Sequence, residues 1–268
     1  MLKKCLTIAG SDCSGGAGIQ ADLKTFSALG TYGMSCICAL TAQNTKEVSM
    51  VENISQVMIT AQLRAIYDDI VPDAVKTGML STAETVDTVS TFLETLHPSN
   101  LVVDPVMVAT SGARLLDEDA VHLYRTKVIP LASIVTPNVP EAEVLAGMKV
   151  QTKEDMKQAA LKIMEIGPKA VLIKGGHAVQ TATDVLYNGY EFIVYEEKKI
   201  ETKNTHGTGC TLSSAIAALL AQNYSLEEAV QQAKSYLTGA IKAAALHSPG
   251  HGYGPVSHFW FYKNPWRK

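Results

Sequence analysis

Hydrophobic and polar positions divide this chain into two kinds of segment that alternate. Short runs of consecutive apolar residues have the length of buried strands, and longer stretches between them repeat apolar residues at helical spacing. The strand-like runs are residues 6–9, 35–40, 74–77, 101–103, 133–135 and 170–173, and the helical stretches include 18–29, 57–70, 84–96 and 156–166. Because such strands are buried on both faces, the pattern predicts a mostly parallel sheet between two helical layers, an α/β/α sandwich.

The last third of the chain shows a different pattern. Two strand-like runs flank Asn188-Gly189 within residues 184–200, which predicts an antiparallel hairpin near one edge of the sheet. Helices are predicted at 210–223 and 226–247, the second with Ser225 as its N-cap and Glu228 three residues on. The tail from Ser248 is expected to lie over the surface. No linker or repeat divides the chain, so residues 1–268 are expected to form one domain.

Composition narrows the class of protein. The chain has 268 residues, 47% of them hydrophobic, and a net charge of −3, which provides for a sizeable core. No long run of Lys or Arg occurs, so neither nucleic acid nor an anionic membrane is an expected partner. Five cysteines, an odd number in a long chain, predict reduced thiols. Without a signal segment or membrane span in the pattern, a soluble cytoplasmic protein is expected.

The segment 204–210, Asn-Thr-His-Gly-Thr-Gly-Cys, carries the strongest chemical signal. Gly207 and Gly209 let the backbone curl just before a helix of small residues, so several N–H groups can point at one anion. The helix start adds partial positive charge, which favours a phosphate and the thiolate form of Cys210. We interpret this segment as a site of phosphoryl transfer with Cys210 as general base.

Polar residues and glycines also follow the other predicted strands, where ligands bind in parallel sheets. They lie at 10–18, 41–44, 78–79, 104–107, 136–141 and 174–177. Asp104 and Glu141 offer the oxygen ligands that Mg²⁺ prefers, directly or through water. Lys174 ends an apolar strand before two glycines, so its ammonium can reach an anion.

Two other classes of function are weaker. Gly16, Gly18 and Ala21 fit the dinucleotide pattern G-x-G-x-x-A, but the acidic residue expected about 20 positions later is missing. A nicotinamide oxidoreductase is therefore disfavoured, and no Walker A motif or zinc ligand set occurs. A catalytically silent binder of small rings is disfavoured by the 204–210 segment together with Asp104 and Glu141.

Taken in order, these motifs resemble the bacterial hydroxymethylpyrimidine/phosphomethylpyrimidine kinases of thiamine biosynthesis, in the ribokinase superfamily. The resemblance runs from residues 6–12 and 14–24 through Asp104-Pro105-Val106-Met107 to residues 254–258. It implies a ribokinase-like fold and ATP- and Mg²⁺-dependent phosphorylation of 4-amino-5-hydroxymethyl-2-methylpyrimidine, then of its monophosphate. Such kinases are usually homodimers.

The resemblance also implies roles for particular residues. Five would surround the pyrimidine: Gly10, Asp22, Gln43, Met79 and Val106. Those expected to hold the triphosphate and metal are Asn138, Lys174, Thr208, Asp104 and Glu141. Gly207 and Gly209 would form the anion hole beside Cys210.

Two positions at which this sequence differs from related kinases bear on the choice of substrate. Many ribokinase-like sugar kinases carry Asp where this chain has Cys210, whereas the vitamin kinases often carry Cys. A related pyridoxal kinase group tends to have Cys in the loop after Asp-Pro-Val-Met, and here Ala109 lies in that loop. The pyrimidine is therefore favoured, with a pyridoxal or pyridoxine kinase as the alternative. The glycine-bearing loop 108–113 could act as a lid.

Overall fold

A computed structural model describes residues 1–107, 118–175, 181–246 and 248–262. The strands are β1 (Lys4–Asp12), β2 (Tyr32–Gln43), β3 (Val48–Asn53), β4 (Ala74–Thr77), β5 (Leu101–Val103), β6 (Ile134–Val135), β7 (Val171–Gly175), β8 (Thr181–Tyr187) and β9 (Phe192–Lys198). The helices are α1 (Gly18–Ala28), α2 (Gln56–Tyr67), α3 (Ala83–Leu96), α4 (Glu118–Leu123), α5 (Val139–Ala146), α6 (Lys153–Met164), α7 (Thr208–Ala221) and α8 (Leu226–Ala244). A π-helical turn at Tyr124–Val128 and a 3₁₀ turn at Ile129–Leu131 follow α4.

The strands form one sheet in the order β3-β2-β1-β4-β5-β6-β7-β8-β9. Its centre, from β2 to β7, is parallel. The predicted hairpin is confirmed as β8 and β9, which pair antiparallel at one edge. Strand β3 adds a second antiparallel edge that the pattern did not predict, because most of its residues are exposed and lack an apolar run.

Helices cover both faces of the sheet, as the sandwich prediction requires. One hydrophobic cluster joins the sheet to α2, α3, α5 and α6, with Leu63, Leu93 and Ile163 fully buried. The other joins it to α1, α7 and α8, with Phe26 and Ile216 fully buried. Helix α7 is buried from Thr211 to Ala221, so packing against the sheet sets the position of its half-buried first turn.

Caps fix where the helices begin. The predicted cap of α8 is confirmed: Ser225 and Glu228 form a capping box. A second box, between Asn138 and Glu141, starts α5 directly after β6. That box places a carboxylate at the carboxyl end of the sheet.

The tail lies over the surface in part, as expected, with Tyr253 and residues 259–262 exposed, but some of its residues between them are buried. Val256 and His258 are buried, and His206 N–H donates to the Gly254 carbonyl. Residues 254–258 therefore pack against the loop that leads into α7, because the buried contacts remove Val256 from water.

None of the helices in the described parts of the chain combines the length and the apolar character needed to cross a membrane.

Candidate active site

A cavity of about 790 Å³ opens at the carboxyl ends of the parallel strands. The residues proposed from the sequence that line it are Gly10, Gln43, Met79, Val106, Asp104, Asn138, Glu141, Lys174, Gly207, Thr208, Gly209 and Cys210. Asp22 does not line it. Strand ends, the start of α5 and the start of α7 thus meet at one place, as parallel topology dictates.

The first turn of α7 is shaped by a close contact between two loops. Gly207 has φ 77°, and a Cβ there would overlap the Gly16 carbonyl oxygen, so only glycine fits. No side chain caps this helix start, and its first turn holds no acidic residue. A carbon at the Gly209 Cβ position would lie 3.3 Å from Lys174 Nζ. The positive end of α7 and the Lys174 ammonium therefore converge on one region of the cavity.

Lys174 is held by Asp104 at the end of β5. Its Nζ donates to Asp104 Oδ1 over 2.8 Å, and Ser213 Oγ donates to the other carboxylate oxygen. Burial opposes the charge on each partner, but the attraction between them dominates, so the pKa of Asp104 is lowered and that of Lys174 is raised. Both groups are charged at neutral pH.

Glu141 behaves differently although it lies nearby. Both its oxygens accept backbone bonds, from Asn138 N–H at 2.8 Å and Met107 N–H at 3.4 Å. Burial, with the Asp104 charge in addition, raises the pKa of Glu141 to about 7, against the opposing effect of Lys174. Glu141 is therefore partly protonated near neutrality.

The protein side chains at this site could bind Mg²⁺ only if phosphate oxygens of a nucleotide supplied further ligands. The described residues contain no group of three or more His, Cys, Asp or Glu side chains that could enclose a metal. Mg²⁺ keeps several waters and commonly takes one or two carboxylates together with phosphate oxygens. Asp104 and Glu141, both on the cavity wall, match that mode and can hold the ion directly or through water.

Cys210 lies on the cavity wall, as expected, but its thiolate is not favoured in the free protein. Burial raises the pKa of its thiol to about 11, which outweighs the nearby Lys76 charge and the Gly18 N–H directed at the sulfur. The expectation from the helix start was therefore wrong in sign, because desolvation of the anion exceeds the helix effect.

Asp22 is too deeply placed to contact a ring directly. It is fully buried and accepts from Thr7 Oγ1 at 2.6 Å, Ser214 Oγ at 2.6 Å and Lys76 Nζ at 2.9 Å. Burial lowers the pKa of Lys76, whereas the Asp22 charge raises it, and the net change is a rise. Lys76 therefore stays charged and the ion pair persists. The expected substrate contact is corrected to a supporting position: Asp22 holds Lys76, which does line the cavity.

Three wall residues were missed or underrated by the sequence reasoning. Lys76 interrupts the apolar run of β4. Because a lysine inside a buried strand needs an acidic partner, its position in the sequence already indicated a buried ion pair. Asp12 and His206 lie 2.8 Å apart although 194 positions separate them, so no local pattern pairs them. Some earlier expectations concern residues outside those described, namely the lid at 108–113 with Ala109, Gly176, His177 and His247.

Replacing Asp22 by Asn should destabilise the protein strongly. The substitution leaves the Lys76 ammonium buried without a counter-charge, so the free energy of unfolding should fall by about 3–5 kcal/mol in urea titrations. Glu154→Gln breaks an exposed pair with Lys157 and serves as the control, with a loss below about 1 kcal/mol. An Asp22→Asn protein as stable as the wild type would contradict the buried ion pair.

Replacing Glu141 by Gln should stabilise the ligand-free protein in a pH-dependent way. The pKa of Glu141 is higher in the folded protein than in the unfolded chain. Between about pH 4.5 and pH 7 the carboxyl group is therefore ionised mainly in the unfolded chain, so the stability of the wild type falls as pH rises through this range. Glutamine removes that loss. The Tm of the variant minus that of the wild type should increase between pH 5 and pH 8, and a difference independent of pH would refute the shifted pKa.

Comparison with known proteins agrees with this architecture. A relative from Rhizobium meliloti, a hydroxymethylpyrimidine/phosphomethylpyrimidine kinase, is 51% identical over 95% of this chain and 96% of its own. The bifunctional thiamine biosynthesis protein ThiED of Geobacter sulfurreducens is 48% identical over 94% of this chain, which spans 51% of that longer protein.

Solved structures share the fold. The phosphomethylpyrimidine kinase of Clostridium difficile 630 superposes with a TM-score of 0.81 at 49% identity, over 89% of this chain and 99% of that one. A pyridoxal kinase of Bacillus subtilis, solved as an ADP complex, gives a TM-score of 0.90 at 39% identity, over 97% and 99% of the two chains. The family model described as phosphomethylpyrimidine kinase matches residues 12–257, and this chain belongs to that family.

Proposed function

We propose that this protein transfers the γ-phosphoryl group of ATP to 4-amino-5-hydroxymethyl-2-methylpyrimidine and then to its monophosphate. The observation that carries the proposal is the meeting of the α7 start, Lys174 and the Cys210 sulfur on one cavity wall. Family membership and the named activities of the relatives support the choice of reaction.

The phosphoryl group would be held by fixed positive charge. The backbone amides at the start of α7 and the Lys174 ammonium would stabilise negative charge on the transferring oxygens, and Thr208 and Asn138 would contact the triphosphate. Asp104 keeps Lys174 in place through the 2.8 Å ion pair. Mg²⁺, bound through Asp104 and Glu141, would neutralise phosphate charge.

Cys210 would take the proton from the substrate hydroxyl. As that oxygen forms its bond to the γ-phosphorus, the bond to ADP breaks and the proton passes to the sulfur. With a thiol pKa of about 11, the thiolate is a minor species at neutral pH. Burial disfavours it, while the Lys76 charge and the Gly18 N–H stabilise it. General-base assistance of this kind contributes about 10²–10⁴-fold.

The ring would lie between Met79 and Val106, beside Gly10, with the Gln43 amide at its polar edge. A carbon at the Gly10 Cβ position would overlap the Met79 methyl, so the wall is already closely packed there. An aminopyrimidine offers a donor next to an acceptor, the pattern that an amide reads with two hydrogen bonds.

Pyridoxal phosphorylation is the second candidate, because the chain also superposes on a pyridoxal kinase of Bacillus subtilis. A side-by-side assay with ATP, Mg²⁺ and each ring separates the two. We expect a higher kcat/KM for the hydroxymethylpyrimidine, and a clear preference for pyridoxal would overturn the substrate assignment.

The assembly proposed is a homodimer in the cytoplasm. Apolar side chains near the β3 edge of the sheet are exposed: Leu40 and Met50, which share one face of the β2–β3 pair, and Val57 and Met58 at the start of α2. A second copy of the chain could cover this patch. All five cysteines are free, as in a reducing compartment.

Cys210→Ala should impair the two phosphorylations unequally. The alcohol must lose a proton, so its kcat should fall by about 100-fold or more. The monophosphate has a second pKa near 6 and already carries an ionised oxygen at pH 8, so its kcat should fall by less than about 5-fold. Both rates come from one preparation, and equal losses would show that the sulfur does not accept the proton.

Met50→Asp should convert a dimer into a monomer, because it places a charge within the apolar patch. Light scattering coupled to size exclusion at micromolar concentration would measure the mass. Val71→Asp, at an exposed apolar position away from β3, is the matched control and should leave the mass unchanged. A monomeric wild type would refute this assembly.

A further inference from the structure

Asp12, at the end of β1, joins the first glycine loop to the segment before α7. Its Oδ1 accepts from Ser14 N–H and Ser14 Oγ, and its Oδ2 accepts from the N–H groups of Gly16 and Ala17. His206 Nε2 lies 2.8 Å from the same Oδ2. Both side chains are almost fully buried, so this contact is not diluted by water.

The protonation of this pair follows from its bonds. Although burial opposes ionisation, the bonds from His206 and Ser14 lower the pKa of Asp12 to about 2, so Asp12 is a carboxylate. A carboxylate oxygen can only accept, which requires the proton of His206 to lie on Nε2.

Gln43, at the end of β2, approaches the same His206 nitrogen, Nε2, that contacts Asp12. The two ends of its side-chain amide are 3.4 Å from His206 Nε2 and 3.1 Å from Thr41 Oγ1. Thr41 Oγ1 already donates to the Ser11 carbonyl at 2.9 Å. With the amide nitrogen at His206, two donors would face each other, whereas a half-turn of the amide lets its nitrogen donate to Thr41 Oγ1 and places its oxygen beside the Nε2–H that His206 shares with Asp12.

We propose that Asp12 and His206 are positioning residues that fix which end of the Gln43 amide is donor and which is acceptor toward the ring. The oxygen is then turned to His206 and the nitrogen to Thr41. This inference rests on the proposed function and extends it, since it names what sets the ring preference of the site.

The consequence is selectivity between heterocycles. A fixed amide offers one donor and one acceptor in a set order, which suits an amine next to a ring nitrogen. A ring with a hydroxyl at that edge presents a different order, and a freely turning amide would adapt to either. A mispaired buried polar group reduces binding by about 10-fold or more.

The test is a double-mutant cycle of His206→Leu and Gln43→Leu, with KM measured for the pyrimidine and for ATP. His206→Leu should raise the pyrimidine KM by about 10-fold, change the ATP KM by less than about 2-fold and reduce the preference over pyridoxal. In the Gln43→Leu background it should cause little further loss. His206→Gln, which keeps a donor toward Asp12, should restore most of the preference.

A matched control is His258→Leu, which removes another buried histidine, one that does not line the cavity. It should lower Tm without changing the ratio of kcat/KM between the two rings. Additive losses in the cycle, or an ATP KM that rises as much as the pyrimidine KM, would overturn the positioning role. A wild type that phosphorylates neither pyrimidine would instead refute the proposed function.

A measurement on the wild-type protein covers the case in which His206→Leu does not fold. With ¹⁵N-labelled histidine, NMR should show His206 protonated at Nε2 at neutral pH. A proton on Nδ1 alone would overturn the proposal, because Nε2 could then accept from the amide nitrogen.

Discussion

Buried positive charge at the carboxyl edge of the sheet is the constraint on which this site depends. Lys76 and Lys174, on strands of the sheet, both line the cavity. Lys76 is paired with Asp22, and Lys174 with Asp104. An unpaired ammonium there would be strongly destabilising. The carboxylates therefore fix where the two cations lie, and the start of α7 adds its own partial positive charge beside them.

The same burial favours the neutral forms of two other groups. It raises the pKa of the Cys210 thiol to about 11 and that of Glu141 to about 7, so the thiol is protonated and Glu141 is partly protonated near neutral pH, and each must release its proton to serve as base or metal ligand. The free site thus balances its charges without a ligand. Binding of a polyanion and a cation would change that balance, which couples nucleotide binding to the protonation of both groups.

Much of this could be predicted from the sequence. Runs such as 74–77 and 101–103 matched their strands to the residue, because buried strands leave a continuous apolar signal. The segments that follow the predicted strands contain most of the site residues named from the sequence, since parallel strands bring their ends together. Strand β3 was missed because an exposed edge strand carries no such signal.

The errors at the site have a common cause, which is that burial cannot be read from residue order. Asp22 has the chemistry to read a ring, but its full burial beneath Lys76 appears only in three dimensions. The helix start predicts an anion site at Cys210, yet the state of the thiol depends on how much water the fold removes. The Asp12–His206 contact joins opposite ends of the chain and left no local trace.

The central claim is that the start of α7 and Lys174 hold the transferring phosphoryl group beside the Cys210 sulfur. A crystal structure with a non-hydrolysable ATP analogue and the hydroxymethylpyrimidine tests it most directly. The account predicts terminal phosphate oxygens within hydrogen-bond distance of the Gly209 and Cys210 amides and of Lys174 Nζ, with the substrate hydroxyl next to the sulfur. A terminal phosphate bound away from α7, or a ring that leaves its hydroxyl far from Cys210, would contradict it.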